Sequence, residues 1–321
     1  MIENKHSYSV AIRTLGLARN KYQILLDSLA NQTIKPEKIF VFIAEGYNLP
    51  EETIGVEHYI YVKKGMVAQR ALAYEEIDSE YILFLDDDVY LPVDGVEKLF
   101  KALAEYSADV VSPDVFPNAE RPLGSKIQMA VSGRMRPRKD DKKWAYKVMR
   151  NSGYSYNTNP SLDVYESQTN AGPCFLCSKK DFLKIKFQEE MWLEECSYPL
   201  GEDQVMFYKM YLKGLKQLTL FHSGIVHMDA GTTLGSLDKE RKKIYSDFRF
   251  KTIFWHRFVF LPHKGVLNKI IDILAILYTF TFALIASLVK GRIDILKLKI
   301  DAILGAVNFI KSSEYKSLPR I

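Results

Sequence analysis

Hydrophobic and polar positions along the chain follow two periods in turn. Tyr8-Ser-Val-Ala-Ile-Arg-Thr14 reads as a first strand, and Asn20 to Asn31 places Tyr22, Leu25, Leu26 and Leu29 on one helical face. Lys38-Ile-Phe-Val-Phe-Ile-Ala44 follows as a second strand, and a β-α-β unit requires a parallel pair. Tyr59-Ile-Tyr-Val62 predicts a short third strand, and Gly65 a turn into a helix from Met66 to Glu76. Tyr81-Ile-Leu-Phe-Leu85 is apolar throughout, as a strand buried on both faces should be, and runs into Asp86-Asp-Asp88 before stopping at Pro92. Val96 to Tyr106 predicts an amphipathic helix, Ala108-Asp-Val-Val-Ser-Pro113 a strand, and Thr169 to Ser178 another. Lys180 to Phe187 is a helix or turn. Val205, Tyr208 and Leu212 continue a helix behind Gly201-Glu-Asp-Gln, and strands are expected at Lys216 to Phe221 and Gly224 to His227.

Two regions break this alternation. Residues 114–168 carry no clear period, which marks a functional or mobile loop. Within it, Arg134 to Arg150 gathers eight cations against Asp140 and Asp141; it is either a solvated charge run or a patch for a phosphate-bearing acceptor or a membrane, anchored by Trp144 and Tyr146. Near the other end, Ile270 to Val289 is long enough to span a bilayer and holds one charge, Asp272. Lys264 and Lys269 precede it, and Lys290, Arg292, Lys297 and Lys299 follow. Cations on both flanks disfavour a single crossing. Ile293, Leu296, Ile300, Ile303, Leu304 and Val307 share a face of the next segment. A peripheral, re-entrant hairpin is expected, with two helices packed on the soluble domain as the alternative.

Composition sharpens this picture. The 321 residues are 47% hydrophobic, enough for a full core. The net charge of +5 is uneven: residues 251–321 hold 11 Lys/Arg against 4 Asp/Glu (+7), leaving 33 against 35 (−2) in residues 1–250. A basic, apolar tail suits an anionic membrane surface, and no nucleic-acid module is recognisable. Three cysteines make no disulfide framework, and no apolar leader follows Met1, so the expected location is cytoplasmic, peripheral on the inner face of the cell membrane. Cys174 and Cys177, three apart on a strand, should point to opposite faces as core residues.

The candidate chemistry gathers at strand ends. Three consecutive carboxylates at a strand's carboxyl end repel one another unless a cation or a donor-rich ligand is present, and a divalent metal carrying a diphosphate meets both needs. Mg2+ is commonly held by one or two carboxylates plus substrate phosphates. Glu202 and Asp203 stand at a helix N-terminus, where the macrodipole favours the ionised form that a general base requires; simple capping is compatible with that. His227 ends an apolar strand ahead of the Gly- and Thr-rich segment Met228 to Gly235, whose donors suit phosphate oxygens.

Gly65-Met-Val-Ala-Gln-Arg-Ala-Leu-Ala73, the Asp-x-Asp at Asp86 and Asp88, and Gly201-Glu-Asp-Gln-Val-Met-Phe-Tyr208 together resemble the family-2 glycosyltransferases of the GT-A fold, over about residues 8–258. The resemblance implies an α/β architecture with a Rossmann-like mixed sheet flanked by helices, followed by a helical apolar C-terminal tail. It divides the chain into a catalytic domain at 1–250 and a tail at 251–321. Within the catalytic domain the nucleotide-sugar half covers about 1–113, the basic loop 114–168 and the acceptor half 169–250. It implies an inverting transferase that moves one sugar from a nucleoside-diphosphate sugar, UDP-sugar foremost, to a hydroxyl of a glycan or lipid-linked acceptor in cell-surface polysaccharide synthesis. Asp203 takes the place of the base. Asp86, Asp88 and His227 would hold Mg2+ or Mn2+, and Arg13, Thr14, Glu45, Arg70 and Asp87 would bind the donor. Gly172, Trp192 and Glu202 fall on the acceptor side, the glycine letting a sugar approach the backbone. The second strand ends in Ala44-Glu45-Gly46 where the family usually has paired aspartates. The processive members' Gln-x-x-Arg-Trp is missing, with Phe254-Trp-His-Arg257 nearest, which favours single addition. Two rival readings are a nucleotide-sugar-binding protein without turnover and an aspartyl-phosphate phosphatase. The second places Thr or Val where this chain has Tyr90.

Overall fold

The computed structural model of the chain describes residues 7–115, 123–132, 138–196, 198, 200–228 and 236–321. The apolar runs become strands β1 (Tyr8–Thr14), β2 (Ile39–Ala44), β3 (Glu57–Val62) and β4 (Tyr81–Asp86), which pair in parallel in the order β3-β2-β1-β4. Next come β5 (Val89–Tyr90), β6 (Val110–Pro113), β7 (Tyr146–Val148), β8 (Tyr154–Tyr156), β9 (Val164–Glu166), β10 (Cys174–Ser178), β11 (Gln217–Leu220) and β12 (Val226–His227). The main sheet continues from β4 as β10-β6-β11-β9; β10 runs antiparallel to both of its neighbours. Eight strands thus form the mixed sheet expected from the resemblance, a GT-A-like arrangement.

Helices cover both faces. Among α1 (Asn20–Ala30), α2 (Gly95–Glu105), α3 (Leu123–Val131), α4 (Lys179–Lys184) and α5 (Glu202–Leu212), the first two bury their apolar stripes on one side, with Leu25, Leu26, Leu99 and Phe100 against Val10, Ile12 and Leu83. On the opposite side Phe207 and Met206 of α5 meet Phe84 and Phe175, whose rings stack at 4.4 Å. Cys174 lies in the first core and Cys177 in the second, so the thiols point to opposite faces. Burial on both faces explains why β2 and β4 are apolar almost without interruption.

Two segments depart from their sequence pattern. Met66 to Glu76 makes a single turn rather than a helix: Gln69 N–H donates to Gly65 O and Ala71 N–H to Val67 O, while Glu194 accepts from the N–H groups of Val67 and Ala68. A carboxylate from a distant segment thus caps the turn, and Tyr74, at φ +51°, takes the left-handed conformation that ends the helical run. The aperiodic stretch 114–168 holds the β7–β8 hairpin and β9, whose short strands are too brief to show a period. The expected interfacial anchors there are packed inward. Tyr146 is buried, and Trp144 is half-buried in an edge contact with Tyr211. Lys143, Lys147 and Arg150 pair with Glu166, Asp140 and Asp272; Arg134 and Arg136 lie outside the described residues.

The tail comprises α6 (Leu237–Phe254), α7 (Val266–Val289), α8 (Ile293–Lys311) and α9 (Ser313–Ser317). The division expected at 250/251 falls inside α6, which continues through a wider turn at Trp255–Phe260. Ala302 and Ala306 of α8 are fully buried, and Gly305 sits so near the Tyr245 hydroxyl that a Cβ would lie 2.9 Å from it, so small residues bring α8 close to α6. The tail's last residues join the main core, with Tyr315 hydroxyl 2.6 Å from His256 Nδ1.

α7 docks by Ile276 and Phe280, which pack on Phe248 and Ala302, and by polar residues. Asp272, fully buried, pairs with Arg150 at 2.7 Å and with His263 at 2.6 Å, and Asn151 Nδ2 donates to Thr279 Oγ1. Its apolar side faces outward: Leu267, Leu274, Leu277, Ile285 and Leu288 are each more than half exposed. The stripe expected on α8 is exposed too, at Ile293, Ile300 and Leu304, because α8 buries Ile295, Ala302, Ala306 and Phe309 instead. The hairpin therefore packs on the domain and still shows a broad apolar surface.

Candidate functional site

The site lies where β1 and β4 end. Arg13 and Asp86 are partners in the parallel ladder, and Arg13 grips the carboxylate with two bonds, Nε to Oδ1 at 2.5 Å and Nη2 to Oδ2 at 3.1 Å. Arg70, buried, adds a third from Nη2 at 3.2 Å. Both guanidiniums also reach α5: Arg13 Nη1 lies 2.7 Å from Glu202 Oε1, and Arg70 lies 3.4 Å from Glu202 and 3.5 Å from Asp203. Burial works against ionisation of Asp86 and Glu202, but the two guanidiniums outweigh it and hold both carboxyls below the ordinary range.

Asp203 behaves differently. Burial, and then the Glu202 carboxylate beside it, push its pKa up to about 7. The helix N-terminus predicts a readily ionised acid; in the folded chain burial, and after it the neighbouring carboxylate, prevails. Gly172 N–H donates to Asp203 Oδ2 at 3.0 Å. A Cβ at Gly172 would lie 2.0 Å from Asp203 Oδ1 and 2.7 Å from Arg70 Nη1. The space that this glycine leaves is thus filled by the Asp203 carboxylate.

Two cavities flank this charged cluster. The first, of 420 Å³, is lined by Arg13, Thr14, Lys21, Gln69, the three aspartates and His227. Thr14 donates its hydroxyl to Asp87; burial pushes the Asp87 carboxyl up to about 6, with Asp86 and Asp88 adding to the effect and the Thr14 bond opposing it. Gly16, at φ +69°, lets the loop after β1 meet Asn48 closely, since a Cβ there would be 2.5 Å from Asn48 O. β5 pairs with β12, and this ribbon brings His227 Nε2 to 2.9 Å from Asp88 Oδ1. Residues 229–235 of the loop expected to close over the donor lie outside the described residues.

The second cavity, of 600 Å³, is lined by Tyr146, Tyr154, Tyr156, Asn170, Glu202, Asp203, Lys243 and Lys251. Asp203, 33% exposed, is the carboxylate that opens onto it from the charged cluster.

The structure brings together most of the predicted residues: Arg13, Thr14, Asp86, Asp87, Asp88 and His227 around one cavity, Glu202 and Asp203 on the other, with Arg70 and Gly172 between. Glu45 is exposed at the end of β2 and lines neither cavity. Trp192, expected on the acceptor side, is a core residue: its indole stacks on Phe250 at 6.5 Å and donates to the buried Glu190. Its amphipathic character is spent inside the protein. Gln69 and Lys21 are additions. Gln69 sits within the Gly65–Ala73 motif beside Arg70, while Lys21, a polar residue of an ordinary amphipathic helix, gives no signal in sequence. The three tyrosines come from the aperiodic loop, and Lys243 and Lys251 from α6, a helix absent from the sequence-based pattern.

For a divalent metal the donor chemistry fits in part. Among the described residues no group of three His, Cys, Asp or Glu side chains is arranged around one point. Asp88 and His227, adjacent on the cavity wall, offer a carboxylate oxygen and an imidazole nitrogen. Asp86 is occupied by Arg13 and Arg70. Two protein ligands with substrate phosphates completing the shell is a usual arrangement for Mg2+.

No curated protein sequence matches the chain significantly. Among solved structures, S. aureus TarS is similar at 15% identity and TM-score 0.48, covering 85% of this chain and 43% of that one. A structure of S. aureus TarS 1-349 is similar at 15% identity and TM-score 0.49, covering 92% of this chain and 81% of that one. GalNAc-T7 with UDP, GalNAc and Mn2+ is similar at 12% identity and TM-score 0.47, covering 84% and 55%. The chain thus spans less than half the length of the TarS chain. The sequence model of glycosyl transferase family 2 matches residues 23–185, just over half of the 321 residues, and the chain belongs to that family.

Proposed function

We propose that this glycosyltransferase moves a single sugar, with inversion, from a nucleoside-diphosphate sugar in the 420 Å³ cavity to a hydroxyl presented from the 600 Å³ cavity. The observation that carries the reading is the position of Asp203: it opens onto the second cavity, while Arg70 beside it pairs with Asp86 and its neighbour Glu202 pairs with Arg13, both of which line the first. A base with a pKa near the working pH combines availability of the ionised form with a useful affinity for the proton. In-line attack by the acceptor hydroxyl passes its proton to the Asp203 carboxylate. Gly172 N–H holds that carboxylate in place, and Arg13 and Arg70 keep Asp86 and Glu202 charged around it.

Asp88 and His227 are the residues that would hold Mg2+ or Mn2+, with Asp86 oriented by its arginines toward the nucleotide side. A bound divalent ion supplies charge neutralisation for the departing diphosphate. Thr14, Asp87 and Gln69 supply polar contacts for the nucleoside, UDP foremost, and Glu45 stands at the neighbouring strand end as a more distant contact. The acceptor reading is a glycan or lipid-linked precursor of a cell-surface polysaccharide. The apolar outer side of α7 and α8, flanked by Lys264, Lys269, Lys290, Arg292 and Lys297, would rest on the anionic inner face of the cell membrane.

Turnover is the test. Nucleotide sugars screened with Mn2+ by thermal shift should yield one that raises the melting temperature, since a ligand at 100 times its Kd adds about 2.7 kcal/mol. The same compound should be consumed by the wild-type protein. Binding without consumption, with or without candidate acceptors, would leave a binding protein in place of a transferase.

A further inference from the structure

The cavity at Asp203 does not stand alone. A separate cleft of 280 Å³ lies between α6, α7 and α8, and the two share Asp247 and Lys251, one helical turn apart on α6. Its walls are apolar, with Phe248, Phe280, Ala283 and Ala286 among them, but cations collect along it: Lys251, Lys290, Arg292 and Lys299 against Glu240 and Asp247. Lys299 is the informative one. Its ammonium donates to Ala283 O at 2.9 Å and Ser287 Oγ at 2.8 Å and lies 5.1 Å from the Phe248 ring centre. Its hydrogen-bond partners are uncharged, the Asp247 carboxylate attracts it without a hydrogen bond, and an ammonium has a third hydrogen to donate. Lys251, paired with Asp247 at 2.5 Å, lies on the same ring at 5.8 Å. Two ammonium groups that share the one Asp247 carboxylate in an apolar cleft leave a positive charge that an anion would balance.

We infer that this cleft binds the phosphate and the first part of the hydrocarbon chain of a lipid phosphate, the carrier portion of the acceptor. The phosphate is placed by Lys251 and Lys299, and the chain leaves between α7 and α8. This deepens the transferase reading and rests on it for the ligand's role as acceptor. The geometry agrees: α7 and α8 also carry the exposed apolar surface, so a chain leaving the cleft meets the face that rests on lipid. A carrier held there extends its head group past Lys251 toward Asp203, because the two cavities meet at that residue.

The test uses the full chain and dodecyl phosphate below its micelle concentration, with inorganic phosphate and dodecanol as partial ligands, followed by titration calorimetry. Dodecyl phosphate should bind while neither partial ligand does at the same concentration. Lys299→Gln should weaken it about tenfold or more, the usual worth of a charged hydrogen bond. Ala286→Phe, which fills the cleft without touching its charge, should weaken it comparably. Circular dichroism confirms that each variant is folded. Equal affinity in wild type and both folded variants overturns the inference. So does equal binding of dodecanol, which would make the cleft merely apolar. Binding that is seen only with phosphatidylglycerol vesicles, and not with dodecyl phosphate, assigns these cations to the bulk membrane and also overturns it. Nucleotide-sugar consumption by the wild type is scored separately. Its absence alongside dodecyl phosphate binding would defeat the transferase reading and leave the cleft as a lipid-phosphate site.

Discussion

The carboxylate of Asp203 occupies the space that a side chain on Gly172 would need. Gly172 N–H donates to Asp203 Oδ2 at 3.0 Å, and a Cβ on that glycine would meet Oδ1 at 2.0 Å. The segment leading into β10 and the helix carrying the proposed base are thereby locked together by the absence of one methyl group.

Gly172→Ala should therefore move Asp203 and Arg70 rather than simply add bulk. The expected stability loss is about 1–3 kcal/mol, as for other overpacked sites. Transfer should fall about 100-fold, because a 1 Å displacement of a catalytic group has that scale of effect. Urea unfolding and initial rates measured on the same preparation check both, and a variant with wild-type rates would show that Asp203 tolerates displacement.

Asp203 must be ionised to accept a proton, and burial together with Glu202 raises its pKa to about 7. Activity at saturating substrate should rise with pH, about tenfold per unit well below 7, and level off above it. Asp203→Asn should retain nucleotide binding and lower transfer by about 10² to 10⁴. A flat profile from pH 5.5 to 8 would move the role of base to another group, Glu202 being the next carboxylate on the cavity wall.

Asp88 and His227 form the one pair at the first cavity in which a carboxylate and an imidazole meet, at 2.9 Å. Asp88→Ala should lower kcat by orders of magnitude and remove the thermal shift that Mn2+ gives in the presence of a nucleoside diphosphate. Asp86→Asn should act differently, loosening Arg13 and Arg70 and lowering stability even without metal, since it removes the carboxylate between two buried or half-buried guanidiniums. Near wild-type turnover of Asp88→Ala in chelator would defeat the metal assignment.

The outward side of α7 predicts membrane binding that polar substitution can abolish. Leu274→Glu with Leu277→Glu, both on exposed positions, should reduce cosedimentation with phosphatidylglycerol vesicles by about tenfold or more, since each removes buried apolar surface and adds a repelled charge. Raising salt to about 0.5 M should weaken binding of the wild type further through its flanking lysines. Unchanged cosedimentation of the double variant would assign the apolar stripe to a protein partner.

Local pattern was sufficient for a good part of this molecule. A strand covered on both faces is apolar almost throughout, so β2 and β4 were legible, and the charges of Asp86 to Asp88 stood out because they end such a strand. The order of motifs was enough to indicate the family. Three matters were decided only by tertiary structure. The Met66–Glu76 segment is helix-like in sequence, yet the chain makes one turn, capped by Glu194 from more than 120 residues away, and Tyr74 takes a left-handed conformation that a helix cannot continue through. Trp192 falls on the acceptor side by resemblance, but the buried Glu190 and the rings of Phe250 and Phe309 hold it in the core. The side of α8 that packs on α6 is the third: close approach selects Ala302, Gly305 and Ala306, whose small size no hydrophobic period reveals, and leaves Ile293, Ile300 and Leu304 of the apolar stripe exposed. The ionisation of Asp203 belongs to the same class. A residue at a helix N-terminus is identifiable in sequence, whereas its pKa depends on Glu202, Arg13, Arg70 and Asp86 converging from four separate segments, and only folding brings those charges within reach of one another.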